Sequence, residues 1–139
     1  MIQWTLQSNA CEVLGLGPRA AGRLATVGVR TVAELLATKP QAAADPQFSA
    51  ETVAAWQREA KLLIDLPLLP CDAARILAAI GVHSAEQLLR STPTELIAEI
   101  ETLWREEAET WLASKEKPTV RAVCAWIGIA HQAQPVRAA

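Results

Sequence analysis

Apolar positions recur along this chain at helical spacing, and they recur twice in the same order. Between Leu16 and Pro40 the series runs Leu24, Val29, Leu35 and Leu36; between Leu69 and Pro93 it runs Leu77, Val82, Leu88 and Leu89, at a constant offset of 53 residues. Ala20 and Ala21 match Ala73 and Ala74 at that offset, and Gly28 matches Gly81. Self-similarity at such a spacing marks duplicated supersecondary units that pack on one another.

Each unit reads as a string of short helices. A first helix is expected over Gln7 to Val13, broken by Gly15-Leu16-Gly17, because glycine tolerates backbone angles that other residues resist. Pro18 suits the first position of the next helix, where a missing amide costs nothing. That helix should bury Ala21, Leu24 and Ala25 and stop at Gly28 in a left-handed cap. Thr31 and Glu34 have the spacing of a capping box and open a helix carrying Leu35 and Leu36. The second unit repeats this order with Pro70, then Ile76, Leu77 and Ile80, then Gly81, then Ser84 and Gln87. Pro40 and Pro93 mark further helix starts, and Thr92 with Glu95 adds another box.

Both units close on a helix with tryptophan near its middle, from Ser49 through Trp56 to Ala60 and from Pro118 through Trp126 to Ala130. Trp56 and Trp126 are expected in the core. They stand 70 residues apart, so the second unit carries 17 extra residues after Ile97. The extra length reads as one long helix from Thr94 to Ala113, with Leu96, Ile100, Leu103, Trp104, Ala108, Trp111 and Leu112 near one face. Glu106, Glu107 and Glu109 form a solvated face, and Ser114-Lys115-Glu116-Lys117 a solvated turn. The fold class is therefore all-α, two tandem units over residues 1–64 and 65–131 with a longer inserted helix in the second, followed by a flexible tail over 132–139.

Composition supports helices over sheets: tyrosine is absent, Phe48 is the single phenylalanine, and the apolar content is carried by alanine, leucine, valine and five tryptophans. No run approaches the roughly 20 apolar residues of a membrane span, and the first residues lack the basic start and apolar stretch of a secretory signal. A cytoplasmic location without membrane contact is expected. Cys11, Cys71 and Cys124 are odd in number and far apart, which argues against a disulfide framework or a metal clip and for buried thiols. His83 and His131 have no metal-ligand partners at suitable spacing and suit surface or capping roles. No phosphate-binding P-loop, nucleophile elbow or zinc deaminase signature occurs, so a noncatalytic protein without cofactor or metal is expected.

Charge separates the units. Residues 1–61 hold six cations against five carboxylates, whereas residues 62–139 hold seven against ten. In the first unit, glycines at 15 and 17 let a phosphate approach the backbone, and amides around Arg19, Ala20 and Ala21 open the following helix. Arg19 and Arg23 lie four apart and would add charge beside the same contact. In the second unit Gly15, Gly17, Pro18, Arg19 and Arg23 become Leu68, Pro70, Cys71, Asp72 and Ile76. Proline removes a donor and Asp72 repels an anion, so the second loop is expected to be structural.

The segment Leu14-Gly15-Leu16-Gly17-Pro18-Arg19-Ala20-Ala21-Gly22-Arg23-Leu24 resembles a helix-hairpin-helix motif. Continued through Gly28-Val29-Arg30-Thr31-Val32-Ala33-Glu34-Leu35, it also resembles the helical N-terminal domain of archaeal and eukaryotic RecA-like recombinases. Over roughly residues 12–130 the duplicated plan is similar to a bacterial family of tandem recombinase-type repeats catalogued as a domain of unknown function. The resemblance implies a helical fold and leaves two functional readings. One is a module that binds DNA or RNA backbone through Gly15, Gly17, Arg19, Ala20, Arg23 and Arg30. The other is a protein-interaction or scaffold module in which the loops only turn the chain and Trp104 and Trp111 dock a partner or a second copy.

Overall fold

The computed structural model describes residues 4–107 and 116–133, and these contain nine α-helices and no strand beyond an isolated bridge between Asn9 and Thr31. The helices are α1 (Ala10–Leu14), α2 (Pro18–Thr26), α3 (Val32–Ala37), α4 (Pro40–Ala43), α5 (Ala50–Asp65), α6 (Cys71–Ala79), α7 (Ala85–Arg90), α8 (Pro93–Glu107) and α9 (Val120–Ala133). The bounds of α2 and α3 reappear in α6 and α7 at the offset of 53 seen in the sequence.

The local grammar accounts for these bounds. The amide of Val29 reaches back to Leu24 O (2.8 Å) and that of Val82 to Leu77 O (2.9 Å), closing α2 and α6 around Gly28 and Gly81 at φ 82° and 91°. Thr31 and Glu34 form the full capping box on α3. On α7 the Ser84 hydroxyl accepts the Gln87 amide, but the Gln87 side chain accepts from His83, one residue before the cap. Thr92 likewise accepts the Glu95 amide, while the Glu95 carboxylate accepts from the Thr92 hydroxyl.

Some expectations shift. The first helix begins at Ala10 rather than Gln7, because Asn9 Oδ1 takes the Glu12 amide and caps it there. The residues before it bend across α3 instead, where the carbonyls of Leu6 and Ser8 accept the otherwise unmatched amides of Ala33 and Val32. The buried face of α2 is Ala20 and Leu24; Ala21 is only half-buried and Ala25 is exposed. Cys71 and Cys124 are exposed, Cys71 in the first turn of α6 and Cys124 on the outer side of α9, and Cys11 is half-buried. Helix α5 continues past Ala60 to Asp65, so the expected boundary between residues 64 and 65 falls inside its last turn.

Helix α5 organises the packing. It lies against α1, α3, α4 and α6, while α9 lies against α7 and α8. One continuous apolar cluster joins both units, from Val13, Leu24 and Leu35 through Leu62, Leu63 and Leu66 to Leu77, Leu88, Ile100 and Val123. Short helices leave free carbonyls at their ends, and side chains from elsewhere in the chain fill that need. Gln57 donates to Leu35 O and Thr38 O at the end of α3, and Arg58 to Ala78 O in the last turn of α6. Arg75 donates to Leu14 O at the end of α1 (2.7 Å), across 61 residues.

No helix among the described residues is long and apolar enough to cross a membrane.

Candidate functional site

The two loops that precede α2 and α6 occupy equivalent places but run differently. Gly15 adopts φ 63°, which lets the Leu16 amide reach Cys11 O and the Gly15 amide reach Glu12 O before the chain turns into α2. No non-glycine residue among those described has positive φ, so Leu68 cannot make this turn, and α5 ends at Asp65 with Leu66, Pro67, Leu68 and Leu69 forming a longer link. Leu68 stands 54% exposed.

Gly17 is the N-cap of α2 with an ordinary φ of −73°, and a Cβ placed there would meet nothing within 4 Å. The fold therefore does not need glycine at this position. Pro18 has no amide and the Ala21 amide is taken by Gly17 O, leaving the amides of Gly17, Arg19 and Ala20 without an acceptor among the described residues. Arg19 is exposed in this first turn and makes no ion pair among the described residues.

Arg23 has a different employment from the one its spacing suggests. Its guanidinium donates to Ala43 O and Ala44 O, both at 2.8 Å, and lies 3.6 Å from Asp45 Oδ2. It closes the end of α4 and does not add charge at the loop. Arg30 is exposed at the turn into α3, where its amide is bound by Glu34. The amides of Thr31 and Arg30 hold the Glu34 carboxyl below the usual range.

Behind the loop lies a cavity of about 480 Å³, bounded by Gly15, Leu16, Gly17 and Ala20 on one side and by α5 and α6 on the other. Its α5 wall carries Thr52, Ala55, Trp56 and Glu59, with Phe48 beside them; its α6 wall carries Arg75 and Ala79. Trp56 was expected in the core but is only half-buried, whereas Trp126 keeps 7% exposure. The difference follows from the neighbours: Trp56 stands at the cavity with Phe48 tilted against it, ring centroids 5.3 Å apart.

Glu59 sits on the inner wall at 3% exposure. Its Oε1 accepts from Arg75 Nε at 3.3 Å, while Oε2 is buried without a hydrogen-bond partner among the described residues. Burial pushes its carboxyl up to about 7 against the pull of Arg75, with Asp72 adding to the rise. An orphaned buried carboxylate oxygen is costly. Sequence reading passed over Glu59 and Arg75. The available signal was position: Glu59 shares a helical face with Trp56, Leu62, Leu63 and Leu66, and Arg75 replaces Gly22 of the first unit.

The remaining candidates lie elsewhere. Trp104 is half-buried on α8, packed on the edge of the core near the Lys117–Glu101 pair, and Trp111 lies outside the described residues. Among the described residues no group of histidine, cysteine or carboxylate side chains could hold a metal ion.

The family model described as a domain of unknown function (DUF4332) matches residues 14–133. The chain belongs to that family. The match begins at Leu14, at the glycine loop, and runs through both units to the end of α9. No curated protein and no solved structure matches this member of the family.

Proposed function

We propose that the protein is a noncatalytic cytoplasmic module that holds nucleic-acid backbone at its first glycine loop, which acts as a helix-hairpin-helix element like those its sequence resembles. The observation that carries this reading is Gly17. Neither its φ nor its surroundings require glycine, yet it leaves room for a ligand to approach amides that have no acceptor among the described residues. A phosphate oxygen matches such donors, and the N-terminal end of a nine-residue helix favours its charge. Arg19 adds a cation at the same turn. The second unit supports the assignment by contrast, since Pro70 and Asp72 replace a donor and a cation with a tertiary amide nitrogen and a carboxylate.

With Arg23 committed to α4, Arg19 is the cation of choice for testing. Labelled single- and double-stranded oligonucleotides titrated at low salt should bind saturably, and Arg19→Glu should weaken them severalfold. Few phosphates are neutralised, so affinity should fall by roughly one log unit per log unit of salt for each contact. Absence of saturable binding by wild type at low salt rules the reading out.

A second reading has its own observation. Trp104 is half-buried on α8 beside Leu103, in the unit whose net charge is negative, and would suit a protein partner or a second copy. Protection of Trp104 from a soluble quencher in a monodisperse monomer would count against it.

A further inference from the structure

We infer that the cavity behind the glycine loop receives one unpaired, amino-bearing nucleobase, so that a single strand fills both loop and cavity whereas a duplex reaches the loop alone. This rests on the reading of the loop as a backbone site and adds what lies beyond the phosphate. The cavity volume of about 480 Å³ lies within the range of roughly 300–1,000 Å³ found for small-ligand sites, ample for one base. Its walls are ordered by polarity. At the mouth are exposed Gly15 and Gly17, with the free amides of Gly17, Arg19 and Ala20 in the same turn. Along the side is the half-buried indole of Trp56, backed by Phe48, a surface on which a base can stack. On the inner wall are Glu59, with one oxygen unsatisfied, and Arg75, which uses its guanidinium on Leu14 O and Glu59 Oε1 and retains further N–H donors.

A base with an exocyclic amino group beside a ring acceptor, such as cytosine, presents the complementary pair: Oε2 is closed to solvent as the side chain stands, and a turn of the Glu59 side chain would bring it to the amino N–H while the ring acceptor faces Arg75. A paired base has that edge occupied, which is why a duplex would be excluded from the cavity while its phosphates could still reach the loop. Among the described residues the second unit has no counterpart, because Glu59 and Arg75 meet at the junction where α5 packs on α6.

The test compares a labelled oligo-deoxycytidine with an abasic oligomer of the same length and phosphate count, by fluorescence anisotropy at low salt. Wild type should prefer the oligo-deoxycytidine by about tenfold or more, the scale of one stacked base. Ala55→Phe, which fills the cavity from a half-buried position, should abolish that preference while leaving abasic binding unchanged; far-UV circular dichroism verifies its fold. Glu59→Gln should reduce oligo-deoxycytidine binding severalfold and spare the abasic oligomer, and Arg19→Glu should weaken both alike. Equal binding of the two oligomers by wild type, or a preference untouched by Ala55→Phe, overturns the base site and leaves the backbone site standing. Failure of both oligomers to bind overturns the backbone site as well.

Discussion

The two units share helices and differ in what stands between them. Helices α2 and α6 have the same length, end on the same bonds and bury Leu24 and Leu77 completely. The loops before them have diverged, one built on glycines with free amides, the other on leucine and proline. A scaffold held constant while one surface changes points to function at the surface that changed, since the second unit shows what the fold alone demands.

The comparison is broken most severely in the core. Leu24→Ala and Leu77→Ala should each cost about 2–5 kcal/mol, by lost burial plus a residual cavity, and the two costs should be similar if the units share one scaffold. Urea midpoints measure both. A large inequality would mean that one unit dominates folding.

Glu59 should produce the next largest effect. Its carboxyl ionises at about 7 in the folded protein against an ordinary 4.5, so the unfolded chain releases its proton first as pH rises. The contribution of Glu59 to stability is therefore full below pH 4.5 and falls through the window up to 7, by up to about 3 kcal/mol. Urea denaturation of wild type should show this decline from acid to neutral pH. Glu59→Gln should flatten it; an equally steep profile in the variant would place the effect elsewhere.

The loop glycines should separate strain from function. Gly15→Ala forces a side chain into left-handed backbone and should cost about 1–2 kcal/mol. Gly17→Ala should cost no more than about 1 kcal/mol, the difference between glycine and alanine as N-caps, yet reduce oligonucleotide affinity by crowding the loop amides.

The caps give the smallest and most selective contrast. Thr31→Ala and Ser84→Ala should each cost about 1 kcal/mol. Glu34 completes the first cap as a carboxylate held below its usual range, so its contribution is present at neutral pH and lost as acid protonates it. Gln87 carries no such charge. Amide protection factors, which remove the intrinsic pH dependence of exchange, should therefore fall in acid at the start of α3 more than at the start of α7.

Features encoded within a few residues were legible in sequence. Gly28 and Gly81, the Thr31–Glu34 box and the prolines at 40 and 93 delimit helices through contacts no more than five residues apart, and the structure places the helix ends accordingly. The N-terminal segment was harder, because its path depends on pairing with α3 across the chain. The same limit applied to the candidate site. Spacing put Arg19 and Arg23 on neighbouring positions of one helix, but only packing reveals that Arg23 turns to the carbonyls of α4. Glu59 carries no local signal of its partner, because Arg75 reaches it only through the packing of α6 on α5. Trp56 matched Trp126 in the repeat, but its environment includes a cavity that no alignment of the copies contains.

Helix α5 ends the first unit and, with Leu63 in its last turn and Leu66 at its C-cap, supplies the second where the first has Ala10 and Val13. A stretch of chain that serves two neighbours removes the hinge that a linker would have provided. In a one-dimensional array of repeats the coupling between neighbours is a separate energy added to each repeat's own; here that coupling is a helix, so the molecule should melt in one cooperative transition, with neither half persisting after the other is lost.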